Sequence, residues 1–413
     1  MMYLAPCFAA FAILAAGAPG SRADTAAGSE PHPFPMPFFD ARQRQTEYAG
    51  PGRELPEPAH LTEVLLGYFG PSNAEDPELG DAWRAAQWAV EELNRQGGYR
   101  GKPFRLVPGW SDQPWKDGAS QVTRMVYGQE VWAVIGGPDG ATTHLAEQVA
   151  AKARLPVVSP GSTDRTANLA NVPWMFSLLP GDHLQAPVLA EHIAAHLGGR
   201  PLVLLSAGDH DARQFVFEFR RAATRIRLPI AWQFVCSSAE TAGAAAARAV
   251  AAQPSGVLVA GGPTSSATMV TELRRAGYRG PLFGTAAFGR RRFLDLAGHD
   301  ASGAVFPCLY FPGSNDARQF ARRFQERWGH PPDYLAAATY DAVHLVAAGL
   351  CRAGLNRARL GDVLWQLSPW QGACGVVRWD KLGSNTRPVT LGTIRDGRVA
   401  ALEPAAPAAK ADK

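Results

Sequence analysis

Residues 131–163 read VWAVIGGPDGATTHLAEQVAAKARLPVVSPGST. An apolar run rich in β-branched and aromatic side chains (Val131, Trp132, Val134, Ile135) stops at Gly136-Gly137-Pro138, and an alanine-rich helical pattern follows over 141–153. A second apolar run, 155–158, ends at Ser159-Pro160-Gly161-Ser162-Thr163, where Pro160 restrains its predecessor and Gly161 frees the chain to fold back. The stretch reads as strand, helix, strand, with a polar loop after each strand. A right-handed crossover makes the two strands parallel, so both loops leave the same sheet edge and can hold a small solute there. The first loop supplies Asp139, Gly140, Ala141, Thr142 and Thr143 at a helix start, whose free N–H groups and dipole favour a carboxylate or another anion. The second supplies the hydroxyls of Ser159, Ser162 and Thr163, which donate or accept without carrying charge. The competing account is that these are ordinary caps, because Ser, Thr and Asp are the usual capping types. Two such loops side by side favour a site.

Working outward, strand and helix keep alternating. Residues 64–69 form a strand followed by Gly70-Pro71-Ser72-Asn73, and a helix over 81–94 is closed by Gly97-Gly98. A strand over 104–108 leads into Trp110-Ser111-Asp112-Gln113-Pro114-Trp115 and a helix over 119–127. After residue 178 the pattern restarts, with helices over 184–197, 214–223, 241–252 and 268–276 and strands over 202–205, 230–235, 257–260 and 282–283. The chain then crosses back over 305–311, continues as helices over 315–328 and 335–350, and closes with strands over 375–380 and 389–394 and a turn at Asp396-Gly397. The expected fold is α/β, two doubly wound parallel-sheet lobes facing each other across a gap. Residues 61–178 plus 310–376 form the first lobe, and 179–309 plus 377–402 the second.

Length and composition agree with that division. A chain of 413 residues exceeds what one hydrophobic core usually serves. Hydrophobic content of 46% and charged content of 19% are those of a soluble globular protein, and a net charge of +4 without basic blocks argues against nucleic acid as a partner. Residues 1–23 read as a signal peptide: the apolar core over 4–16 is too short to span a bilayer, and Ser21-Arg22-Ala23 has the small residues of a cleavage site, although the segment lacks a leading positive charge. Export to the periplasm is expected. Residues 24–60 form a Pro-rich arm whose Phe34-Pro35-Met36-Pro37-Phe38-Phe39 run is apolar enough to pack in part, and 403–413 read as a disordered tail. Past the leader stand Cys236, Cys308, Cys351 and Cys374. An even number in an oxidising compartment permits disulfides, with Cys351 and Cys374 the best-placed pair and buried free thiols the alternative.

Other signals are weaker. His192 and His196 have a zinc-like spacing on one helix face but no third ligand, so no metal is expected. Gly136-Gly137 followed by Gly140 is too loose for a nucleotide fingerprint, and Arg290-Arg291-Arg292 reads as a solvated helix face. There is no nucleophile elbow and no catalytic carboxylate pair, so neither an enzyme nor a cofactor is expected.

Four stretches carry a family resemblance: Gly67-Tyr68-Phe69-Gly70-Pro71 with residues 89–98, Val134-Ile135-Gly136-Gly137 through 156–163, Thr339-Tyr340-Asp341-Ala342-Val343, and Val377-Arg378-Trp379-Asp380-Lys381-Leu382-Gly383. The chain resembles the periplasmic solute-binding proteins of branched-chain amino acid and amide ABC transporters, the leucine-binding-protein-like group with the type I periplasmic-binding fold. That resemblance implies a monomeric clamshell whose lobes are joined by three crossovers and close over a small-molecule ligand that a membrane permease then accepts. It places a ligand carboxylate near Gly140, Gly161 and Thr163, but the family pattern has Ser where Gly140 stands. It also has Tyr where this chain reads His210-Asp211-Ala212, and an acid for the ligand ammonium where it reads Thr285-Ala286-Ala287. A buried ammonium needs a carboxylate partner, so amino-acid specificity does not carry over unless Asp211, Asp112 or Asp139 takes that role. Trp110, Trp115 and Tyr310 leave room for an apolar ligand, or belong to the core. The candidate ligand-binding set is Ser72, Asp112, Trp115, Asp139, Gly140, Ala141, Gly161, Thr163, Asp211 and Ala286. The alternative function is a periplasmic ligand sensor, or an accessory binding protein of an enzyme system, without transport.

Overall fold

A parallel strand covered on both faces has to be apolar along its whole length. The central strands of this chain meet that demand: Val134–Gly136, Val157–Ser159, Leu202–Ala207 and Gly256–Ala260 are buried at every residue. The computed structural model describes residues 52–168 and 172–402. The leader expected at 1–23, most of the Pro-rich arm and the tail over 403–413 lie outside the described residues.

In chain order the first part runs β1 (Val64–Phe69), α1 (Gly80–Arg95), β2 (Phe104–Gly109), α2 (Pro114–Thr123), β3 (Val134–Gly136), α3 (Gly140–Ala153), β4 (Val157–Ser159) and β5 (Met175–Pro180). The second part runs α4 (Asp182–Leu197), β6 (Leu202–Ala207), α5 (His210–Arg225), β7 (Ile230–Cys236), α6 (Ala239–Ala251), β8 (Gly256–Ala260), α7 (Pro263–Arg275), β9 (Leu282–Gly284), α8 (Arg291–Ala297) and β10 (Val305–Cys308). The chain closes with α9 (Asn315–Trp328), α10 (Tyr334–Ala353), α11 (Arg357–Gln366), β11 (Trp370–Gly372), β12 (Gly375–Val377), β13 (Ser384–Asn385), β14 (Thr390–Arg395) and β15 (Arg398–Ala401).

Among the described residues these strands form two large sheets, ordered β13-β5-β4-β3-β1-β2 and β15-β14-β10-β9-β8-β6-β7. The chain passes between them three times, after β5, after β10 and after β13. Inside each sheet the strands are parallel, with β14 and β15 as an antiparallel edge. Asp396 and Gly397 both take positive φ in the turn that joins β14 to β15, which suits a two-residue hairpin. Helix α10, apolar over most of its length, packs along α1 in the first lobe and is core rather than surface.

Three details differ from the sequence reading. Segment 377–402 divides: β13 adds to the first sheet beside β5, and β14 and β15 add to the second. Residues 375–377 belong to a separate hairpin with 370–372, because the turn between them is held by the buried Asp341, which accepts from Ala373 N and Cys374 N at 2.7 Å each. Cys351 and Cys374 are not bridged. Cys351 is an exposed thiol on the last turn of α10, whereas Cys374 is buried with its Sγ against the carbonyls of Leu309 and Tyr334. The described end of the arm does pack, as Asn356 Nδ2 donates to the Gly52 carbonyl at 2.7 Å and Tyr99 donates to Glu57 at 2.9 Å.

Candidate functional site

The loops that follow β3, β4, β5, β8 and β9 converge where the two sheets face each other, at the carboxyl ends of parallel strands where open α/β sheets bind ligands. They enclose a cavity of about 120 Å³ lined by both lobes. The first lobe supplies Asp139, Gly161, Thr163 and Tyr334; the second supplies Asp182, Gln185, Asp211, Thr285, Ala286 and Arg290. The cavity shares Gly262 with a wider recess of about 680 Å³ whose wall includes Glu78, Ser238 and Thr264. Recesses of about 460 and 420 Å³ lie on the flanks, between α1, α9 and α10 and around α8 and α9, away from the loops after β3, β4 and β6.

Half of the residues expected from the sequence meet in this cavity: Asp139, Gly161, Thr163, Asp211 and Ala286. Asp139 also caps α3, accepting from Thr142 N at 2.7 Å, so the capping account and the lining position hold together. Gly140 and Ala141 take part differently. Their N–H groups donate to Asp211 of the opposite lobe, at 2.7 Å to Oδ1 and 3.4 Å to Oδ2. The start of α3, which favours an anion, is thus filled by the chain's own carboxylate. This gives a physical reason for glycine at 140, because a Cβ there would stand 2.6 Å from Asp211 Oδ1 and 2.6 Å from the Asp164 Cβ. Ser72 and Asp112 are exposed in the loops after β1 and β2 and do not line the cavity. Trp115 is 63% exposed with its ring 6.5 Å from that of His210, also outside the cavity. The hydroxyls of Thr143 and Ser159 turn inward, meeting each other at 3.0 Å and bonding the Gly137 carbonyl, so they hold the two loops together instead of lining the site.

The remaining polar groups of the cavity share one character. Burial and the charge of Asp139 push the Asp211 carboxyl up to about 7, against the pull of the Gly140 and Ala141 N–H groups. Burial raises Asp182 well above the ordinary carboxylate value, against a hydrogen bond from Thr163, and raises Asp139 in the same direction. Gln185 donates its amide N–H to the Pro180 carbonyl at 2.7 Å, which leaves Oε1 buried without a partner. Arg290 is already committed: it is buried, bonds Asp333 at 2.6 Å and donates to the Glu78 carbonyl. The cavity therefore presents three carboxyls and a free amide oxygen, all acceptors once the carboxyls ionise, against one cation that is already paired.

Sequence reasoning missed Asp182, Gln185 and Arg290. The apolar periodicity of α4 starts at Leu184 and hides its first turn, while the arginine run looked solvated because its partner Asp333 lies 43 positions on. Arg291 was also misread, since its Nε bonds Asp81 of the first lobe at 2.8 Å.

The periplasmic binding protein family matches residues 64–398, most of the chain. The chain belongs to the periplasmic binding protein family. Membership places it among extracytoplasmic solute-binding proteins. It is similar to an amino acid binding protein of Pseudomonas aeruginosa, 26% identical over 150 residues, a match that spans 36% of this chain and 40% of that relative. It is also similar to a Leu/Ile/Val-binding protein homolog of Brucella melitensis, 20% identical over 353 residues, covering 84% of this chain and 95% of the relative. A branched-chain amino acid transporter substrate-binding protein from Streptococcus pneumoniae, solved in complex with isoleucine, shares the fold with a TM-score of 0.76 at 23% identity, covering 82% of this chain and 98% of that one. In this periplasmic binding protein the two lobes touch on both sides of the cavity. Asp211 and His210 meet α3 and Asp164 on one side, and Thr264 and Arg291 meet Glu78 and Asp81 on the other.

Proposed function

We propose that this protein is the extracytoplasmic substrate-binding component of an ABC transporter, capturing a small solute between its lobes and delivering it to a membrane permease. We further propose that the solute is rich in hydrogen-bond donors, an amine, amidine or amide, and needs no carboxylate. One observation supports this reading above the others: the interlobe cavity holds Asp139, Asp182, Asp211 and the unpartnered Gln185 Oε1, while its one arginine is paired with Asp333. A carboxyl whose burial disfavours its ionised form gains when a cation arrives beside it, which couples ligand charge to affinity. Asp211 already occupies the helix start that would otherwise take an anion. Because residues of both lobes line the cavity, a ligand there favours the arrangement in which they meet, by its differential affinity for that arrangement.

The test is a thermal-shift screen of the mature chain against amines, amidines, amides and urea beside free amino acids and simple carboxylates. A donor-rich solute at about one hundred times its Kd should stabilise the fold by about 2.7 kcal/mol, and Asp182→Asn should remove that gain. Stabilisation by carboxylates alone, undiminished by Asp182→Asn and Asp211→Asn, would defeat the assignment of ligand class and site.

A further inference from the structure

Beside the cavity the lobe boundary carries a second cluster. His144 on α3, Asp164 after β4 and His210 at the first position of α5 bring three ligand atoms within 4.8 Å of one another. His144 Nε2 lies 2.9 Å and His210 Nε2 2.6 Å from the same oxygen, Asp164 Oδ2. The side chain of Asp164 is 1% exposed and the two rings 24% and 20%, so the carboxylate is buried while one side of the cluster opens to solvent.

The surroundings orient these groups as a coordination site requires. Thr166 N and Oγ1 both donate to Asp164 Oδ1 at 2.7 Å, which leaves Oδ2 facing the imidazoles. Glu147 Oε2 stands 3.3 Å from His144 Nδ1, the carboxylate behind the imidazole that fixes ring orientation and raises ligand basicity in metal sites. The Thr166 hydroxyl is a further neighbour, 3.0 Å from His144 Nε2.

We propose that His144, Asp164 and His210 form a binding site for one divalent transition-metal ion of the zinc type, with a solvent-side position left open. Two imidazoles and one carboxylate suit zinc, copper or nickel, and do not suit calcium or magnesium, which take oxygen ligands. Binding displaces the protons that the two Nε2 atoms now share with Oδ2. His144 and Asp164 belong to the first lobe and His210 to the second, so the ion ties the lobes together.

The experiment is equilibrium dialysis of the mature chain against zinc at about pH 7.5, with elemental analysis and competition by a chromophoric chelator. One equivalent of zinc should bind and magnesium should not compete. His144→Ala and His210→Ala should each abolish the stoichiometric site, and Glu147→Gln should weaken it about 10–100-fold. Zinc should raise the unfolding temperature of the wild type and leave that of His210→Ala unmoved. The double variant His192→Ala, His196→Ala is the control for adventitious binding at the other histidine pair and should bind as the wild type does. If a ligand variant fails to fold, as judged by its metal-free melting curve, Asp164→Asn replaces it. The proposal is overturned if no zinc is retained, if the ligand variants bind as the wild type does, or if zinc is lost from the His192/His196 variant.

Discussion

At the scale of single residues, Gly140 and Asp211 explain each other. A carboxylate from one lobe docks on a helix start of the other only because no side chain stands between them. Gly140→Ser should therefore push Asp211 away at about 1–3 kcal/mol, the usual range for overpacking. Small-angle scattering should then give a larger radius of gyration than for the wild type, with unchanged far-UV circular dichroism. An unaltered radius would mean that Asp211 finds another position without parting the lobes. The cysteines allow a second check. Cys351 is exposed while Cys236, Cys308 and Cys374 are buried and unbridged, so a thiol reagent should modify one of these four rapidly and the other three only after unfolding. Cys351→Ser should remove the fast reaction, and a failure of the thiols to react in denaturant without reductant would restore the disulfide.

At the scale of elements, α1, α9 and α10 show how a charged group can be built into a helical interface. Trp88 of α1 stacks on Phe320 with ring centroids 5.5 Å apart, and Arg323 lies over the same indole at 4.8 Å. Glu92, one turn on, accepts from Arg323 and Tyr340 and faces His344 at 3.8 Å. Burial alone would raise the Glu92 carboxyl, but the nearby His344 imidazole and the hydrogen bonds from Tyr340 and Arg323 outweigh it and hold the group at about 2, below its ordinary 4.5. A depressed carboxylate pKa stabilises the fold fully above the unfolded value, and that contribution disappears as pH falls from about 4.5 through about 2. Glu92→Gln should thus cost about 1–3 kcal/mol in denaturant unfolding at pH 7, and its deficit should shrink towards zero near the bottom of that window. A deficit independent of pH would assign the loss to packing. The interface also marks what the sequence could convey. The periodicity of Trp83, Ala86, Val90 and Leu93 announces α1, and the glycine pair after it announces its end, because both signals are local. That Glu92 meets side chains more than 230 positions away is a consequence of the return crossing, and no local pattern encodes it. The same limit applies to the cavity. Asp139, Gly161 and Thr163 were legible because they sit in loops directly after strands; Asp182 also follows a strand, β5, but stands in the first turn of α4 ahead of its apolar periodicity, and Arg290 became a site residue through a partner 43 positions on.

At the scale of the molecule, the lobes are held by three crossing strands of chain and by direct ties on either side of the cavity. On one side stand the Asp211–Gly140 and His210–Asp164 contacts; on the other, Arg291 bonds Asp81 at 2.8 Å and Thr264 bonds Glu78. These ties are made by the chain's own residues, so they favour the lobes in contact independently of what a solute contributes. Each tie is a partly buried or charge-assisted hydrogen bond of about 1 kcal/mol net, and a change of about 1.4 kcal/mol alters the ratio of joined to separated lobes about tenfold. Arg291→Ala and Asp211→Ala lie on opposite sides of the cavity, share no partner, and should add in free energy. The double variant should open the lobes by the sum of the two single effects, read as the growth of the radius of gyration in scattering or as the fall in transfer efficiency between dyes placed one on each lobe. A solute that binds between the lobes should reverse the change, and should need a higher concentration to do so in proportion to the loss of the joined state. If the double variant scatters as the wild type does, these two ties are consequences of lobe position rather than causes of it, and the crossings with the remaining contacts set the arrangement.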